Sequence, residues 1–501
     1  MIDLWLGWLL VAQIAMGAFD TLYHHELTQR LAWRPSQAAE LRLHGVRNFI
    51  YAIVFLALAW TVPQGGWAIL LIVLLAIEVV ITLWDFVEED RSRLLPATER
   101  VTHTLLALNY GLILALLMPI LWQAASRPAA LPPAWNGFFS IAFTLAAIGV
   151  AIAGLRDLVA AGRSVRIAER DAAPLAAALS GRRSILVTGG TGLVGTRLIA
   201  ALTGAGHDVT VLTRDPAHAR HLPAPLRIVT DLGQIANSDR IDAIVNLAGE
   251  GIASGLWTRR RREAILASRI DTTRALHALC KRLSKRPKVL ISASAIGYYG
   301  NGGDTVLDEG GEQGDGFCAG ICAAWEAEAV RHAELGLRVV RLRIGLVLAS
   351  AGGFLANLLL PFEAGLGGRI GNGRQWLSWI HRDDLVRLIA FAIEERELEG
   401  VVNAAAPNPV RNAAFAAALG AALRRPAFMP LPAAPLRLAL GDFAEELFLA
   451  SQRVLPVKAV FHGFRFDHPR IEGALACIVG APPPAERQPR HRGLADARLL
   501  H

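Results

Sequence analysis

The sequence predicts a two-part chain, an α-helical membrane domain of five transmembrane helices followed by an α/β domain built on a parallel sheet. Of the 501 residues 53% are hydrophobic and only 19% are charged, and the mean hydropathy is +0.37. Ordinary soluble domains of this length are less apolar. Long apolar runs fill residues 1–155, whereas strand-like and helix-like segments alternate from Ser184 onward. We therefore expect a membrane domain at 1–155, a helical connector at 156–182 and an α/β domain at 183–480.

The membrane prediction depends on five apolar runs, which lie at residues 4–19, 49–62, 67–84, 105–122 and 138–155. Several are shorter than the roughly 20 residues that cross a bilayer core, but each can extend helically into its flanks. Seven arginines fall between runs one and two or between runs three and four, and the opposite side offers only Arg127. The positive-inside rule then predicts a multi-pass inner-membrane protein with its N-terminus outside and its α/β domain in the cytoplasm. The seven are Arg30, Arg34, Arg42, Arg47, Arg91, Arg93 and Arg100.

Carboxylate and histidine residues recur at helical spacing near the predicted cytoplasmic ends of the first four runs. The pairs four residues apart are Asp20 with His24, Glu40 with His44 and Glu99 with His103, and Glu78, Asp85 and Glu89 lie on the third run. Di-iron bundles use such residues from four helices, and paired histidines ligate haem. An ion-pair network or a proton-handling cluster explains the same pattern. We assign no metal ligand from the sequence, and whether His24, His44, Glu99 and His103 bind a metal or haem stays open.

A glycine-rich loop opens the α/β domain and predicts a dinucleotide site. The strand-like segment 184–188 is followed by Gly189-Gly190-Thr191-Gly192-Leu193-Val194-Gly195 and then by a helical segment. We expect Gly189 to permit a tight turn, Gly192 to let the backbone approach a pyrophosphate, and Gly195 to let the helix pack closely. The helix N-terminus then offers its N–H groups to the phosphates. A glycine-rich turn without a ligand is the alternative.

Two further segments refine the cofactor prediction. The second strand, 207–213, is followed by Arg214, and an arginine at this position accommodates the 2′-phosphate of NADP. Asp215 is adjacent and keeps NAD as the less favoured reading. A buried strand then ends in Asn246-Leu247-Ala248-Gly249, and we expect the small residues Ala248 and Gly249 to pass under the cofactor.

The motifs together resemble a known family. GGTGLVG, Asn246-Leu-Ala-Gly249, Ser268-Arg269 and Ile291-Ser-Ala-Ser-Ala-Ile-Gly-Tyr-Tyr-Gly300 are similar to those of atypical extended short-chain dehydrogenase/reductases, in the nucleoside-diphosphate-sugar epimerase-like group of the YfcH type. Cys322-Ala-Ala-Trp-Glu326 and Gln375-Trp-Leu-Ser-Trp-Ile-His-Arg-Asp-Asp384 match in the same order. The resemblance covers about residues 183–480. It implies an NAD(P)-binding Rossmann domain with a small C-terminal substrate-binding portion at about 405–480, a domain type without assigned function.

The resemblance also implies catalysis by hydride transfer, with one departure. Ordinary members pair a serine with a tyrosine and a lysine four residues later, which assist proton transfer. Here Ser294 matches the serine, but Cys318 and Cys322 stand where the tyrosine and lysine are expected. We assign Ser294 and Tyr298 as catalytic, with Tyr299 as the alternative acid. Packing is the favoured role for the two cysteines over a reactive thiol pair.

Three other residues of the α/β domain have open roles. His381 lies near substrate or beside a helix that Asp383 and Asp384 cap. Arg341 and Arg343 alternate along a strand, where one of them faces an anionic substrate or both form surface ion pairs.

The predicted function is a membrane-tethered, NADP-dependent oxidoreductase or epimerase-like protein acting on a carbonyl or alcohol of a small or lipidic substrate. The alternatives are an NADP(H)-sensing domain that regulates the membrane bundle, and an NADPH-to-membrane redox unit. The net charge of +8 does not indicate nucleic-acid binding, because the basic residues border the apolar runs. Residues 481–501, rich in proline and arginine, are predicted to be a disordered tail.

Overall fold

The computed structural model describes residues 3–93, 95–167 and 171–482, which divide into two compact units, 1–169 and 170–501. The predicted tail lies outside the described residues from residue 483 onward. Of the predicted connector, the first part continues the last helix of the first unit as far as Ile167. A short 3-10 turn, Ala173–Ala176, belongs to the second unit.

The described part of the first unit contains five helices that are long and apolar enough to cross a membrane. They are α1 (Leu4–Phe19, continued by a π-helix at Asp20–Gln29), α2 (Ala38–Trp60), α3 (Gly66–Ser92), α4 (Ala97–Ala125) and α5 (Phe138–Ile167).

Several charged residues that the sequence analysis placed in loops are helical. Arg42 and Arg47 lie within α2, and Arg91 lies within α3. The second apolar run begins at residue 49, and the helix extends from it into the polar flank, as the sequence allowed. Most of those polar residues have buried partners, as His44 and Arg47 do on Asp85, so the helix continues through them.

Small residues allow the helices of this unit to pack closely. An added Cβ at Gly154 of α5 would lie 3.0 Å from the backbone oxygen of Gly45 in α2, so the two backbones approach one another at that point. Leu58, Leu117 and Phe143 are fully buried between the helices. Apolar side chains also cover the outer faces, as expected for helices without a polar side.

The second unit is built on a parallel sheet, which confirms the predicted α/β class. Its described strands have the order β11-β7-β5-β4-β1-β2-β3, and every pairing is parallel. The strands of the unit are β1 (Ser184–Thr188), β2 (Asp208–Leu212), β3 (Arg227–Val229), β4 (Ala243–Asn246), β5 (Val289–Ala295), β6 (Val306–Leu307), β7 (Arg338–Ile344), β8 (Leu346–Leu348), β9 (Trp376–Leu377), β10 (Trp379–His381), β11 (Gly400–Ala404), β12 (Val410–Arg411) and β13 (Arg453–Val454).

Helices pack on both faces of this sheet and bury continuous apolar strands such as Ile185–Val187. The described helices of the unit are α6 (Leu193–Gly204), α7 (Arg259–Arg282), α8 (Phe317–Val330), α9 (Gly353–Glu363), α10 (Arg382–Glu394), α11 (Asn412–Leu423), α12 (Ala433–Leu440), α13 (Asp442–Ala444), α14 (Val457–Phe461) and α15 (Ile471–Val479).

The strand order reverses between β1 and β4, because the chain moves outward to β2 and β3 and then returns to the other side of β1. Ligands of open α/β sheets bind at this switch point, outside the carboxyl ends of the strands. The topology therefore places the site at the ends of β1, β4 and β5.

Candidate functional site

The glycine-rich loop forms a cradle between β1 and α6. Gly189 has a φ of +69°, and an added Cβ there would lie 2.6 Å from the carbonyl carbon of Leu247. An added Cβ at Gly195 would lie 2.2 Å from the backbone oxygen of Gly189, so only glycine lets the helix pack against the loop. Gly192 precedes the helix, and no described side chain hydrogen-bonds to the N-terminus of α6. The first N–H groups of α6 are therefore available to a phosphate, so the cradle fits a dinucleotide.

A buried polar chain fixes the neighbouring strand end. The Thr188 hydroxyl donates to Asn246 Oδ1 at 2.6 Å, and Asn246 Nδ2 donates to the hydroxyl of Thr273 at 3.0 Å. The backbone N–H of Ala248 donates to the Thr188 hydroxyl at 3.3 Å. These bonds hold the segment with Ala248 and Gly249 beside the cradle.

Arg214 lies at the rim of the cradle, just after β2. Its guanidinium is almost fully exposed and is 3.5 Å from Glu250 Oε2. Glu250 also accepts a hydrogen bond of 2.9 Å from Arg261, which lowers the pKa of this carboxyl. Two cations therefore stand at the rim, where an anionic group on the adenosine ribose would lie.

Ser294 lies at the carboxyl end of β5 and is bound to a buried ion pair. Its hydroxyl donates to Glu326 Oε1 at 2.7 Å. Arg343 of β7 donates to both oxygens of Glu326, at 2.9 and 3.1 Å. Arg341 approaches the same carboxylate at 3.4 Å. The two arginines thus form a largely buried pair with Glu326, and not the surface ion pairs that the sequence analysis considered.

The structure distinguishes the two tyrosines that follow Ser294 on a 3-10 turn, Ile296–Tyr299. The Tyr299 hydroxyl is buried and lies 2.8 Å from Asn403 Oδ1, and burial raises its pKa. Tyr298 is half-buried, and the guanidinium carbon of Arg343 lies 3.4 Å from the centre of its ring. Tyr298 is therefore the more exposed of the two tyrosines, and Arg343, which also lies 4.8 Å from the Tyr299 ring, is closest to the ring of Tyr298.

Cys318 and Cys322 lie one turn apart on α8, beside the same strand end. Both are buried, and burial raises the pKa of each thiol. Neutral thiols are poor nucleophiles, which supports the packing role. Glu326 lies on the same face of α8, one turn after Cys322.

His381 itself caps helix α10, whereas the sequence predicted that Asp383 and Asp384 cap it. Its Nδ1 accepts the backbone N–H of Asp383 at 3.1 Å. Asp383 instead forms an ion pair with Arg197, and Asp384 accepts two backbone N–H groups at residues 467 and 468. Burial lowers the pKa of His381 to about 3, so the ring is neutral.

The α/β unit is similar to known proteins in sequence and in structure. Residues 185–405 match the family model described as the NAD dependent epimerase/dehydratase family, and residues 431–478 match a domain of unknown function. Epimerase family protein Mb2239 of Mycobacterium bovis is 39% identical over 302 residues, which cover 60% of this chain and 98% of that protein. Epimerase family protein SDR39U1 of Homo sapiens is 37% identical over 298 residues, 59% of this chain and 99% of that protein. The chain belongs to this epimerase family.

Solved structures agree with the assignment. The chain is similar to human SDR39U1, solved with NADPH, at 34% identity and a TM-score of 0.54 over 59% of this chain and 99% of that one. It is also similar to the nucleoside-diphosphate sugar epimerase of Corynebacterium glutamicum, at 32% identity and a TM-score of 0.50, over 65% of this chain and 63% of that one. The α/β unit of this family member is thus an NAD(P)-binding, epimerase-like short-chain dehydrogenase/reductase, as predicted.

Sequence reasoning missed the roles of Glu326 and Arg343. Glu326 appeared only as the end of a matching stretch, and Arg343 was weighed as one of two alternating strand residues. The signal that was available is spacing, because Cys318, Cys322 and Glu326 are each four residues apart and so share one helical face.

Proposed function

We propose that this family member is a membrane-anchored, NADP-dependent oxidoreductase or epimerase-like enzyme. It transfers hydride to or from a carbonyl or alcohol carbon of a small or lipidic substrate. The proposal is supported by the grouping of Ser294, Tyr298 and Arg343 at the carboxyl ends of β5 and β7, on the same edge of the sheet as the glycine cradle. A nicotinamide supplies the hydride chemistry when bound.

Four residues have distinct roles in the proposed reaction. On substrate binding Ser294 turns its hydroxyl from Glu326 to the substrate oxygen and orients it by a hydrogen bond, and Tyr298 gives a proton to that oxygen or takes one from it. Arg343 supplies positive charge where Tyr298 develops negative charge, which is the task of the lysine in ordinary members. Glu326 holds both Ser294 and Arg343, so it is a positioning residue.

Two observations support NADP over NAD. Arg214 is exposed at the rim and offers its guanidinium to a 2′-phosphate. The similar human protein was solved with NADPH. Arg261 lies on the other side of Glu250, and its guanidinium adds a second positive charge to the same rim.

The lipid bilayer is the proposed partner of the helical unit. Large apolar side chains on the outer helix faces are exposed, such as Leu108 at 64%, Leu145 at 65% and Ile152 at 64%. Exposing this much apolar surface to water is unfavourable, whereas lipid covers it. The distribution of arginines supports an outside N-terminus and a cytoplasmic α/β unit.

The catalytic proposal is tested by following deuterium. NADPH with two deuterium atoms at C4 of the nicotinamide is incubated with the detergent-purified chain and a cell extract of lipids and small metabolites. We expect mass spectrometry to find a deuterated product whose rate falls at least about 100-fold in Ser294→Ala and Tyr298→Phe. Full binding of NADPH without deuterium transfer would favour the NADP(H)-sensing alternative, which the missing lysine supports.

The topology is tested by cysteine labelling in intact cells. Ser126→Cys precedes Arg127, and Ser284→Cys is exposed in the α/β unit. We expect a membrane-impermeant maleimide to label Ser126→Cys in intact cells and Ser284→Cys only after lysis. The reverse pattern would overturn the proposed orientation.

A further inference from the structure

The helical unit gathers the polar residues from four helix ends into one buried group, which we name the carboxylate–histidine cluster. It comprises Asp20, His24, His25, Glu40, His44, Arg47, Asp85, Glu89, Arg93, Glu99 and His103. Its five carboxylates are each at most 5% exposed. Nothing in the activity proposed for the α/β unit uses these residues.

The helix geometry selects a histidine that the sequence pattern did not indicate. Four-residue spacing pairs Asp20 with His24, and His24 Nδ1 is indeed 2.9 Å from Asp20 Oδ1. The segment from Asp20 to Gln29 is a π-helix, however, in which residues five apart share a face. This places His25 Nε2 3.3 Å from the other carboxylate oxygen, Asp20 Oδ2. π-helical turns inside helices often mark functional sites.

Two histidine nitrogens converge on one carboxylate oxygen at distances that a shared metal ion allows. Asp20 Oδ2 lies 3.3 Å from His25 Nε2 and 3.3 Å from His103 Nε2. Two ligands about 2.1 Å from a metal and about 90–110° apart are about 3.0–3.4 Å from one another. The residues Asp20, His25, Glu99 and His103 each offer an atom within 4.8 Å of the others.

His25 supplies an independent sign that a ligand belongs there. Its ring is buried, yet Nε2 has no hydrogen-bond partner among the described residues. The contact with Asp20 Oδ2 is close but is not aligned as a hydrogen bond. Leaving a buried nitrogen without a partner is costly. A metal ion between the two atoms accepts the lone pair of the nitrogen.

Other members of the cluster support these three residues or are already engaged. Asp20 is held by His24, and His103 Nδ1 lies 3.3 Å from Glu89 Oε2, so both donors have the outer partners typical of metal ligands. Arg93 donates to both oxygens of Glu40 and both of Glu99. His44 Nε2 is 2.9 Å from Asp85 Oδ2. Of the residues that the sequence analysis left open as metal or haem ligands, only His103 therefore remains in the set.

The charge of the cluster favours a cation. Four of the five buried carboxylates form ion pairs with the guanidiniums of Arg47 and Arg93, and the fifth, Asp20, contacts histidines. The two arginines therefore leave an excess of negative charge in a poorly solvated place. Buried charges need partners. A divalent ion removes most of the excess without requiring every histidine to be protonated.

We propose that Asp20, His25 and His103 bind a divalent first-row transition metal ion. Two histidines and one carboxylate form the facial set used by iron(II) sites with open positions, and manganese and zinc accept the same donors. All three side chains line a cavity of about 530 Å³ together with apolar residues such as Leu106 and Leu145. The open positions of the metal therefore face a space that admits a small, largely apolar ligand.

The test measures metal content and does not depend on the α/β unit. The intact chain is purified in detergent, with neither a chelator nor a metal-affinity column. Its bound metals are then measured by inductively coupled plasma mass spectrometry. We expect about one iron, manganese or zinc atom per wild-type chain and at least tenfold less metal in His25→Ala and in Asp20→Asn. The control is His221→Ala, which replaces an exposed histidine of the α/β unit and should leave the metal content unchanged. Equal metal content in the wild type and all variants, or none in the wild type, would overturn the proposal.

A second measurement remains valid if the variants fail to fold. The wild-type chain is stripped with chelator and titrated with Co²⁺, whose visible absorption reports nitrogen and oxygen ligands. We expect saturation near one equivalent, with competition by Zn²⁺. A titration without absorption bands, in a chain that still elutes as a single species, would contradict the site.

Discussion

The two units both bury charged groups, but they differ in how those charges are matched. In the α/β unit, the Glu326 carboxylate is held by two guanidiniums, and Ser294 donates to one of its oxygens. In the helical unit, four carboxylates share two arginines, a fifth, Asp20, contacts histidines, and Nε2 of His25 has no hydrogen-bond partner among the described residues. A matched pair needs nothing more to be stable in a protein interior. An unmatched cluster indicates a missing cation.

The sharpest test of a matched pair is to remove one partner. Glu326→Gln and Arg343→Met should each destabilise the region around β5 and β7 by about 3–5 kcal/mol, because either leaves a buried charge without its main partner. The double variant should recover most of that loss. Hydrogen exchange of peptides from the intact chain in detergent reports the local free energy of opening. Additive losses in the double variant would show that the two residues do not act as a pair.

In the helical cluster, removing an arginine and removing a carboxylate should have unequal effects on stability. Arg93→Met leaves Glu40 and Glu99 buried without their common partner, so it should cost about 3–5 kcal/mol. Glu99→Gln removes part of the negative excess, so its cost should be nearer 1 kcal/mol, the value of a lost hydrogen bond. Hydrogen exchange in α2 and α4 measures both. Equal costs would mean that the cluster is matched, as the α/β pair is.

The cradle differs from both clusters because it consists of backbone. Gly195→Ala should destabilise the α/β unit by about 1–3 kcal/mol, because the new methyl group meets the oxygen of Gly189. NADPH affinity should fall with it. Gly473→Ala in α15 is the matched control, since nothing lies within 4 Å of its added Cβ, and it should stabilise by about 0.5–1 kcal/mol. Thermal unfolding with and without NADPH distinguishes them, and similar effects of both would remove the case for a tight cradle.

The effect of the buried histidines of the α/β unit is expected to be the smallest near neutral pH and to grow in acid. Burial lowers the pKa of His381 to about 3 and that of His332 to about 4. The unfolded chain protonates them near pH 6.5, so the stability of this unit should be full above that pH and should fall as the pH drops toward 3. His381→Asn keeps a capping side chain and should make this fall shallower, leaving the contribution of His332. An unchanged pH dependence of the melting temperature would contradict the neutral cap.

The features that could be predicted from the sequence are those that depend on residues close together in the chain. The glycine cradle was predicted because Gly189, Gly192 and Gly195 impose backbone geometry within seven residues. The ion pair of Glu326 and Arg343 was not, because α8 and β7 come together only through packing on the sheet. His25 was missed because four-residue spacing assumes an α-helix, whereas the segment is a π-helix. The partners of the charged residues at the start of α2, such as Asp85 for His44 and Arg47, could not be predicted because they lie on another helix.

The most direct test of the central claim is a fluorescence titration of the intact, detergent-purified chain with NADPH and with NADH. Binding of NADPH at least tenfold tighter than NADH is the predicted result, a difference of about 1.4 kcal/mol or more. Arg214→Ala should abolish that preference, whereas the exposed Arg396→Ala should keep it. Equal binding of both dinucleotides by the wild type would contradict the assignment of NADP, and binding of neither would contradict the proposed function as a whole.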